Sequence, residues 1–268
     1  MASFSVVNNI ASANAQANLN VSQMGLNKAI GRLSSGFRLN QSGDDSAGLA
    51  VANKYRNDQA ILNQGIRNAN DGMSKLQIKD GALANIASLL DRMSTLSTQA
   101  ANAATDADIT KLSAEFASVA TEIDREAAVA GLTASAGFSV FVSSESTASN
   151  GKITGTIAGV EVADLAITQT TFSTVAEAAT ALGQVKTAIS TLGGVQNTVG
   201  TLENRLQFAI SLSQSQAVNT QAAESRIRDA NVAEESANMT RFNILSQAGL
   251  AALAQANQST SSVLALLR

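Results

Sequence analysis

The chain has 268 residues, of which 45% are hydrophobic and 3% aromatic, with a formal net charge of −3 and a pI near 5.1. It contains no His and no Cys, which excludes disulfides, thiolate nucleophiles and the side chain that most often performs acid–base chemistry and metal binding near neutral pH. The acidic balance gives no support to nucleic-acid binding, and we predict no cofactor, no metal and no enzyme activity.

Charged residues are missing from both ends of the chain. None lies within residues 1–27 and none within residues 242–267. Because a soluble monomer normally keeps its surface helices charged, we expect both ends to be buried against other copies of the same chain. Amides and hydroxyls interrupt the C-terminal end too often for a membrane span of about 20 apolar residues. A flexible tail of low charge is the alternative.

The first predicted helix covers residues 3–33 and carries two apolar seams, which predict two neighbouring helices. The absence of Pro throughout the chain favours such long helices. The first seam consists of Val6, Ile10, Ala13, Ala17, Val21 and Met24, and the second of Leu19, Leu26, Ile30 and Leu33.

A break rich in Gly, Ser and Asn follows at residues 34–43. Asp44 and Asp45 come next, where carboxylates would cap the start of the second helix. A metal-binding acidic pair is the weaker alternative, since no further ligands are near in sequence.

Two more helices are predicted at residues 45–102 and 107–130. In the first, Leu62, Ala69, Leu76, Leu83 and Leu90 recur every seven residues, which indicates a coiled-coil-like packing seam. In the second, apolar residues alternate by three and four. The small polar segment between the two helices allows an antiparallel return.

From residue 131 to 174 the period changes to that of strands. Residues 138–142, 152–157 and 160–162 are predicted strands, and the region is too short for a core of its own. The loop between the first two strands is rich in hydroxyls, so it is where we would expect glycosylation, at Ser143, Ser144, Ser146, Thr147 and Ser149.

The fourth helix is predicted at residues 175–223, with apolar repeats at Val175, Leu182 and Ile189 and then at Leu192, Val199 and Leu206. A charged break and an uncharged helix from about residue 231 mirror the N-terminal end. We therefore predict a mainly α fold of long antiparallel coiled-coil-like helices with a small β-hairpin region and paired N- and C-terminal helices. Its parts would be 1–43, 44–130, 131–174, 175–223 and 224–268.

The segments around both breaks resemble bacterial flagellin. The resemblance covers roughly residues 1–130 and 175–268, and it is most specific at residues 31–40, 44–50, 223–235, 238–249, 253–258 and 263–268. Residues 127–137 depart from the motif that many flagellins carry after the third helix, and the large variable outer domains are absent.

The resemblance implies a subunit that polymerises into a helical tubular filament used for swimming motility, with the terminal helices lining its inner tube. A hook–filament junction protein is the alternative. Implied partners are other copies of the chain, the flagellar export apparatus, a chaperone of the C-terminal helix, and the cap and hook-junction proteins. The implied location is the extracellular flagellum. Because residues 1–27 lack the features of a secretory signal, we expect export without a cleaved signal peptide.

Two sets of functional residues follow from these expectations. Arg92, Leu96 and Glu115 fall where some flagellins contact an innate immune receptor of animal hosts, although ordinary surface and packing roles are favoured. The predicted assembly interface consists of Val6, Ile10, Leu19, Val21, Leu26, Ile30, Leu33, Met239, Phe242, Leu245, Leu250, Leu253, Val263, Leu264 and Leu267.

Overall fold

The computed structural model describes residues 8–103, 105–143 and 151–266, with the side chains of residues 260–266 outside that description. Within these ranges the chain forms five helices and two strands: α1 (Ile10–Ser35), α2 (Ser46–Ala101), α3 (Asp106–Val129), β1 (Ala136–Phe141), β2 (Lys152–Ile157), α4 (Val175–Arg228) and α5 (Val232–Leu266). The mainly α fold with a small hairpin is therefore confirmed.

The chain divides into two compact units. The terminal unit comprises Met1–Asn57 and Thr220–Arg268, and the central unit comprises Asp58–Asn219. Both chain crossings between the units lie within helices, one in α2 and one in α4. The five-part division proposed from sequence stays a prediction.

Side-chain caps explain where several helices begin. Asn9 accepts a hydrogen bond from the Ser12 amide (3.0 Å), so α1 starts at Ile10. Residues 8 and 9, which the sequence placed in the helix, therefore precede it. Residues 3–7 lie outside the described part. Asp45 accepts a hydrogen bond from the Gly48 amide (2.9 Å) just before α2, which confirms its capping role.

The end of α4 differs from the prediction. The helix continues through the charged segment to Arg228 instead of ending at residue 223. Its last carbonyl, that of Arg228, accepts a hydrogen bond from the Arg38 amide (2.7 Å), and the Ala230 amide donates to Gly36 (2.9 Å). The backbone groups left open at the helix end are thus taken by the N-terminal break, which sequence periodicity along α4 does not reveal.

The core of the central unit lies between α2, α3 and α4. All five members of the heptad seam on α2 are at most 2% exposed, as predicted. On α3, the Phe116 ring meets the Phe172 ring edge-on with centroids 5.2 Å apart. On α4 the second predicted repeat is buried: Leu192, Val199 and Leu206.

The first predicted repeat on α4 does not face the core. Val175 is 44% exposed and Ile189 is 36% exposed, and Leu182 is only partly buried. The inward positions are occupied instead by other side chains of the helix: Ala178, Ala181, Val185 and Ala188.

The strands β1 and β2 pair antiparallel, from Ala136 opposite Ile157 to Phe141 opposite Lys152. Polar side chains from both flanking helices satisfy strand carbonyls. Asn68 of α2 donates to the Phe141 carbonyl (3.4 Å), and Arg205 of α4 donates to the Thr154 carbonyl (3.0 Å).

Two buried glycines of α2 let the hairpin lie directly on the helix. A Cβ at Gly65 would overlap the carbonyl oxygen of Val142, and a Cβ at Gly72 would lie 2.7 Å from Val140 Cγ2. Val142 also accepts a hydrogen bond from the Ser213 hydroxyl of α4 (3.2 Å). These contacts fix the hairpin across α2 and α4.

The predicted third strand at residues 160–162 is wrong. The amide of Val162 donates to the Asp124 carboxylate (2.8 Å) and that of Val160 donates to the Leu132 carbonyl (2.9 Å). These bonds hold the segment in a turn against α3, and the turn ends at Ala166 with φ of 58°.

Candidate assembly interface

The terminal unit is built on an antiparallel pair of α1 and α5. The Asn9 side chain donates to the Ala256 carbonyl (3.0 Å) at one end. At the other end Arg32 contacts Glu235, with Nη1 and Oε1 2.9 Å apart. The pairing of the N- and C-terminal helices predicted from sequence is therefore confirmed.

Small residues allow the two helices to approach closely. A Cβ at Gly25 would lie 2.5 Å from the Phe242 ring, and one at Gly249 would lie 3.3 Å from Leu19. Ser22 and Ala29 are buried on the same side of α1. Phe242 therefore packs directly on the α1 backbone, which a bulkier residue at position 25 would prevent.

An ion cluster closes the charged end of the pair. Arg32 Nη2 lies 3.8 Å from Asp44 Oδ1, and Lys28 Nζ lies 2.6 Å from the same oxygen. The hydrogen bond from Lys28, helped by the amides of Asn40 and Gln41, holds the pKa of Asp44 below its usual value. The cluster joins α1, the N-terminal break and α5, because Arg32 also contacts Glu235.

The two breaks lie side by side beyond this cluster. Phe37 forms an isolated bridge with Asp229, and the Arg228 guanidinium lies 4.1 Å from the centre of the Phe37 ring. Such a cation–π contact contributes about 0.5–1 kcal/mol at exposed sites and more when desolvated. The charged segments that flank the uncharged helices thus hold each other inside one chain.

The outward faces of the pair are apolar and have no covering element in the terminal unit as described. The first seam of α1 is open: Ile10 is 62% exposed, Val21 60% and Met24 64%. On α5, Ile244 is 61% exposed and Leu250 is 56% exposed. A groove of about 460 Å³ runs between the helices, lined in part by Val21, Phe242 and Leu245.

Family models match both ends of the chain. The bacterial flagellin N-terminal helical region matches residues 6–134, and the bacterial flagellin C-terminal helical region matches residues 180–267. The chain belongs to the flagellin family.

Similar proteins match along nearly the whole length. A flagellin of Halalkalibacterium halodurans is 33% identical, covering 97% of this chain and 98% of the relative. A flagellar filament 33 kDa core protein of Treponema phagedenis is 34% identical, again over 97% and 98%. The crystal structure of Bacillus cereus flagellin is 30% identical with a TM-score of 0.48, covering 59% of this chain and 94% of that one.

The structure sorts the predicted interface residues of this flagellin into two groups. One group turns toward the partner helix and is partly buried: Leu19, Leu26, Leu33, Met239, Phe242 and Leu253. The other group is exposed: Ile10, Val21, Ile30, Leu245 and Leu250. Val6 and Leu267 lie outside the described residues, as do the side chains of Val263 and Leu264.

Ile244 was not among the predicted interface residues, although it is among the most exposed apolar side chains of α5. It falls outside the broken helical spacing from which the α5 residues were selected. The absence of charge from residue 242 to residue 267 is the sequence signal that includes it.

The predicted receptor residues of this flagellin do not share one surface. Leu96 is fully buried, so its side chain is not available for a direct contact, and that expectation is corrected. Arg92 and Glu115 are about half exposed and form an ion pair between α2 and α3, with Nε and Oε1 3.0 Å apart. Of the predicted glycosylation sites, Ser143 is partly buried, and Ser144, Ser146, Thr147 and Ser149 lie outside the described residues.

Two other kinds of site are absent from the described part of the chain. None of its helices has an apolar stretch long enough to cross a bilayer. Across the same residues, no cluster of three or more acidic side chains is arranged to hold a metal ion.

Proposed function

We propose that this flagellin polymerises into the flagellar filament by burying the outward faces of the α1–α5 pair against other copies of itself. Within the free subunit, Leu19, Leu26 and Leu33 of one apolar seam of α1 are partly buried, whereas Ile30 of that seam is 46% exposed. The other seam would be covered by a neighbouring subunit. The observation that carries the proposal is the exposure of Ile10, Val21 and Met24 on a helix without charged residues before Lys28.

The chemistry of these faces suits a contact with a second copy. Burying apolar area stabilises by about 25 cal/mol per Å², and amides and hydroxyls are tolerated in an interface when they are hydrogen-bonded. Charges would be far more expensive there, which accounts for their absence from residues 1–27 and 242–267. A contact between different surfaces of identical subunits generates a helical fibre when its rotation does not close into a ring.

A charge placed on the outward face tests the proposal. In Val21→Lys the ammonium group would have to be desolvated in the polymer, while the free subunit would keep it in water. We expect the purified variant to keep the wild-type circular dichroism spectrum but to form no filaments on wild-type seeds. Sedimentation and negative-stain electron microscopy measure the outcome.

Ser118→Lys is the matched control. Ser118 is exposed on the charged helix α3, so the same substitution there should leave polymerisation unchanged. Filaments of normal yield from Val21→Lys would contradict the proposal, as would normal filaments from a chain that lacks residues 242–268.

The family resemblance also supports finer proposals about the partners. We place the α1–α5 pair at the inner tube of an extracellular filament. The subunit would reach that location through the flagellar export apparatus, with a chaperone on the C-terminal helix and assembly beneath a cap next to the hook-junction proteins. Pull-down from a cell extract with a chain that lacks residues 242–268 tests the chaperone, because that variant should lose it.

Two further expectations stay proposals. A host-receptor contact at Arg92 and Glu115 would be tested by a receptor reporter assay with the purified Arg92→Ala subunit. The structural role that we propose needs no catalytic centre. The absence of enzyme activity stays a prediction.

A further inference from the structure

The methionines of the chain differ widely in their access to solvent. The sequence contains five of them, and four lie within the described residues. Met93 is fully buried in the core of the central unit, whereas Met73 and Met239 are partly buried. Met24, on α1, is 64% exposed. Among the described residues, the thioether of Met24 is therefore the most open to an oxidant dissolved in water.

Met24 lies on the side of α1 that turns away from α5. The side that packs on α5 is marked by Gly25, where a Cβ would lie 2.5 Å from the Phe242 ring, and by the buried Ala29. Met24 instead shares a face with Val21, three residues earlier, which is 60% exposed. The open thioether is thus part of the outward face that the proposed function buries.

We propose that Met24 is an oxidative modification site of the free subunit, and that its sulfoxide prevents the subunit from polymerising. The proposal rests on the proposed function, since it needs the outward face of α1 to be taken out of water in the polymer. The oxidant is a peroxide, of which hydrogen peroxide is the simplest. The product is a subunit that keeps its fold but does not join the filament.

The oxidation requires only the thioether and the peroxide. A lone pair of the Met24 sulfur attacks one oxygen of hydrogen peroxide, so that an S–O bond forms and the O–O bond breaks. The leaving hydroxide takes the proton of the transferred oxygen and becomes water. The sulfur is oxidised by two electrons and the peroxide is reduced by two. Methionine sulfoxide reductases, one for each epimer of the sulfoxide, reverse the modification.

A sulfoxide at position 24 affects the free subunit and the polymer unequally. Oxidation converts a flexible apolar side chain into a polar one. In the free subunit water hydrates the S–O group, because the side chain already projects into solvent. In the polymer the group would be buried beside Ala17 and Val21, whose side chains donate no hydrogen bond. Oxidation should therefore leave the fold intact and weaken the addition of the subunit to the filament.

Met239 provides a matched comparison within the terminal unit. It carries the same thioether on α5, but its side chain turns toward α1 and is partly buried. Met93 provides the comparison for the central unit, where the core must open before the sulfur meets an oxidant. If the exposure of the side chain determines the reaction, position 24 is oxidised first, position 239 later and position 93 last.

The oxidation and its effect on assembly are measured on the wild-type full chain, which contains no Cys that would compete for the peroxide. Free subunits are treated with hydrogen peroxide, and peptide mass spectrometry follows the sulfoxide at each methionine. We expect position 24 to react several-fold faster than position 239.

A half-oxidised sample is then added to wild-type seeds and sedimented. The ratio of sulfoxide to thioether at position 24 should be about tenfold higher in the supernatant than in the filaments. Equal oxidation rates at positions 24 and 239, or equal ratios in the supernatant and the filaments, overturn the inference.

Two variants assign the effect to the Met24 sulfur. Peroxide should raise the critical concentration for polymerisation of wild-type chains about tenfold, the factor that corresponds to 1.4 kcal/mol, and sulfoxide reductases should restore it. Met24→Leu keeps an apolar side chain of similar volume, so peroxide should not change its critical concentration. Met24→Gln places a neutral polar group there and should raise the critical concentration without peroxide. An equal effect of peroxide on Met24→Leu and on wild type overturns the inference, as does a wild-type critical concentration for Met24→Gln.

The outcomes also separate this inference from the proposed function. If Val21→Lys chains fail to polymerise but chains with the sulfoxide at position 24 enter filaments normally, the proposed function stands and the oxidative site is refuted. If Val21→Lys chains polymerise normally, the proposed function itself fails, and the effect of oxidation on assembly fails with it. Altered circular dichroism of the oxidised free subunit would show that the sulfoxide acts on the fold, which also overturns the inference.

Discussion

The two units of this flagellin use similar helices in opposite ways. In the central unit Leu76, Leu83 and Leu90 are fully buried within the chain. In the terminal unit the buried apolar side chains of the described residues are Ala29, Leu39 and Ala52. The central unit therefore completes its core alone, while the terminal unit leaves large apolar side chains such as Ile10 and Met24 exposed.

This difference predicts different stabilities in the free subunit. A pair of helices without a third layer buries little area to offset its conformational entropy, so the α1–α5 pair should open readily. The central unit should unfold cooperatively and later. A substitution within one unit should therefore change the stability of that unit alone, whereas a change in pH should shift the stabilities of the two units in opposite directions.

The largest effect is expected for Phe116→Ala in the central unit. Phe116 is fully buried and packs edge-on against Phe172. Removing the ring should cost about 3–5 kcal/mol. Urea unfolding followed by circular dichroism measures the loss, and the control Phe208→Ala, at an exposed Phe, should stay within about 0.5 kcal/mol of wild type. Equal losses in both variants would contradict the core assignment.

A smaller effect is expected for Gly65→Ala. The added methyl group would overlap the Val142 carbonyl, so the hairpin must move away from α2 at a cost of about 1–3 kcal/mol. Gly81→Ala is the control on the same helix. Nothing lies within 4 Å of a Cβ there, and the better helix propensity of Ala should stabilise α2 by about 0.5–1 kcal/mol. If Gly65→Ala stabilised the protein as Gly81→Ala is expected to do, the hairpin would not rest on Gly65.

Sequence reasoning anticipated the elements whose signal is repeated along the chain. The seven-residue spacing of α2 and the mirrored uncharged ends are such signals, and the helix pairing that they predict is present. The glycines at positions 65 and 72 read only as weak points of a helix. Their contacts with β1 and with Val142, which follows it, depend on residues that are about 70 positions away in the chain.

The misses have a common physical origin in tertiary contacts. Ala178 and Ala181 face the core, whereas sequence periodicity favoured the larger Val175 and Leu182. The segment at residues 160–162 alternates like a strand, but the Asp124 carboxylate takes the Val162 amide and holds it in a turn.

Acid should affect the two units in opposite directions. In the central unit burial, and then the nearby Asp80, raise the pKa of Glu203, whose Oε1 is buried with no hydrogen-bond partner among the described residues. Its contribution to stability is fully present below about pH 4 and is lost as the pH rises through the raised pKa. In the terminal unit Asp44 has a lowered pKa. Its contribution is present above about pH 4 and is lost as the pH falls further.

Hydrogen exchange measured between pH 3 and 7 in the free subunit separates the units, after correction for the intrinsic exchange rate. Glu203→Gln should stabilise the central unit at neutral pH, because a neutral side chain is easier to bury, and should flatten its pH dependence. Asp44→Asn should weaken the protection of the terminal unit against hydrogen exchange near neutral pH, but not at the acidic end of the range. A destabilised central unit in Glu203→Gln would mean that the carboxylate has a partner.

The smallest expected effect concerns the turn that replaces the predicted third strand. Ala166 has a φ of 58°, a left-handed conformation that costs a residue with a Cβ about 1–2 kcal/mol. Glycine removes that cost but loses about 0.5–1 kcal/mol of chain entropy on folding, so Ala166→Gly should stabilise the central unit by about 0.5 kcal/mol.

Ala163→Gly is the control three residues earlier, where φ is not positive, and it should destabilise by about 0.5–1 kcal/mol through the entropy term alone. Both alanines are exposed, so the two substitutions differ only in the backbone conformation that they report. The turn places Leu165 and Ile167 in the core of the central unit. Opposite shifts in the urea midpoint, with an unchanged critical concentration for polymerisation, would therefore show that the turn stabilises the unit that folds without neighbours. Equal destabilisation by both substitutions would show that Ala166 is not held in a left-handed conformation.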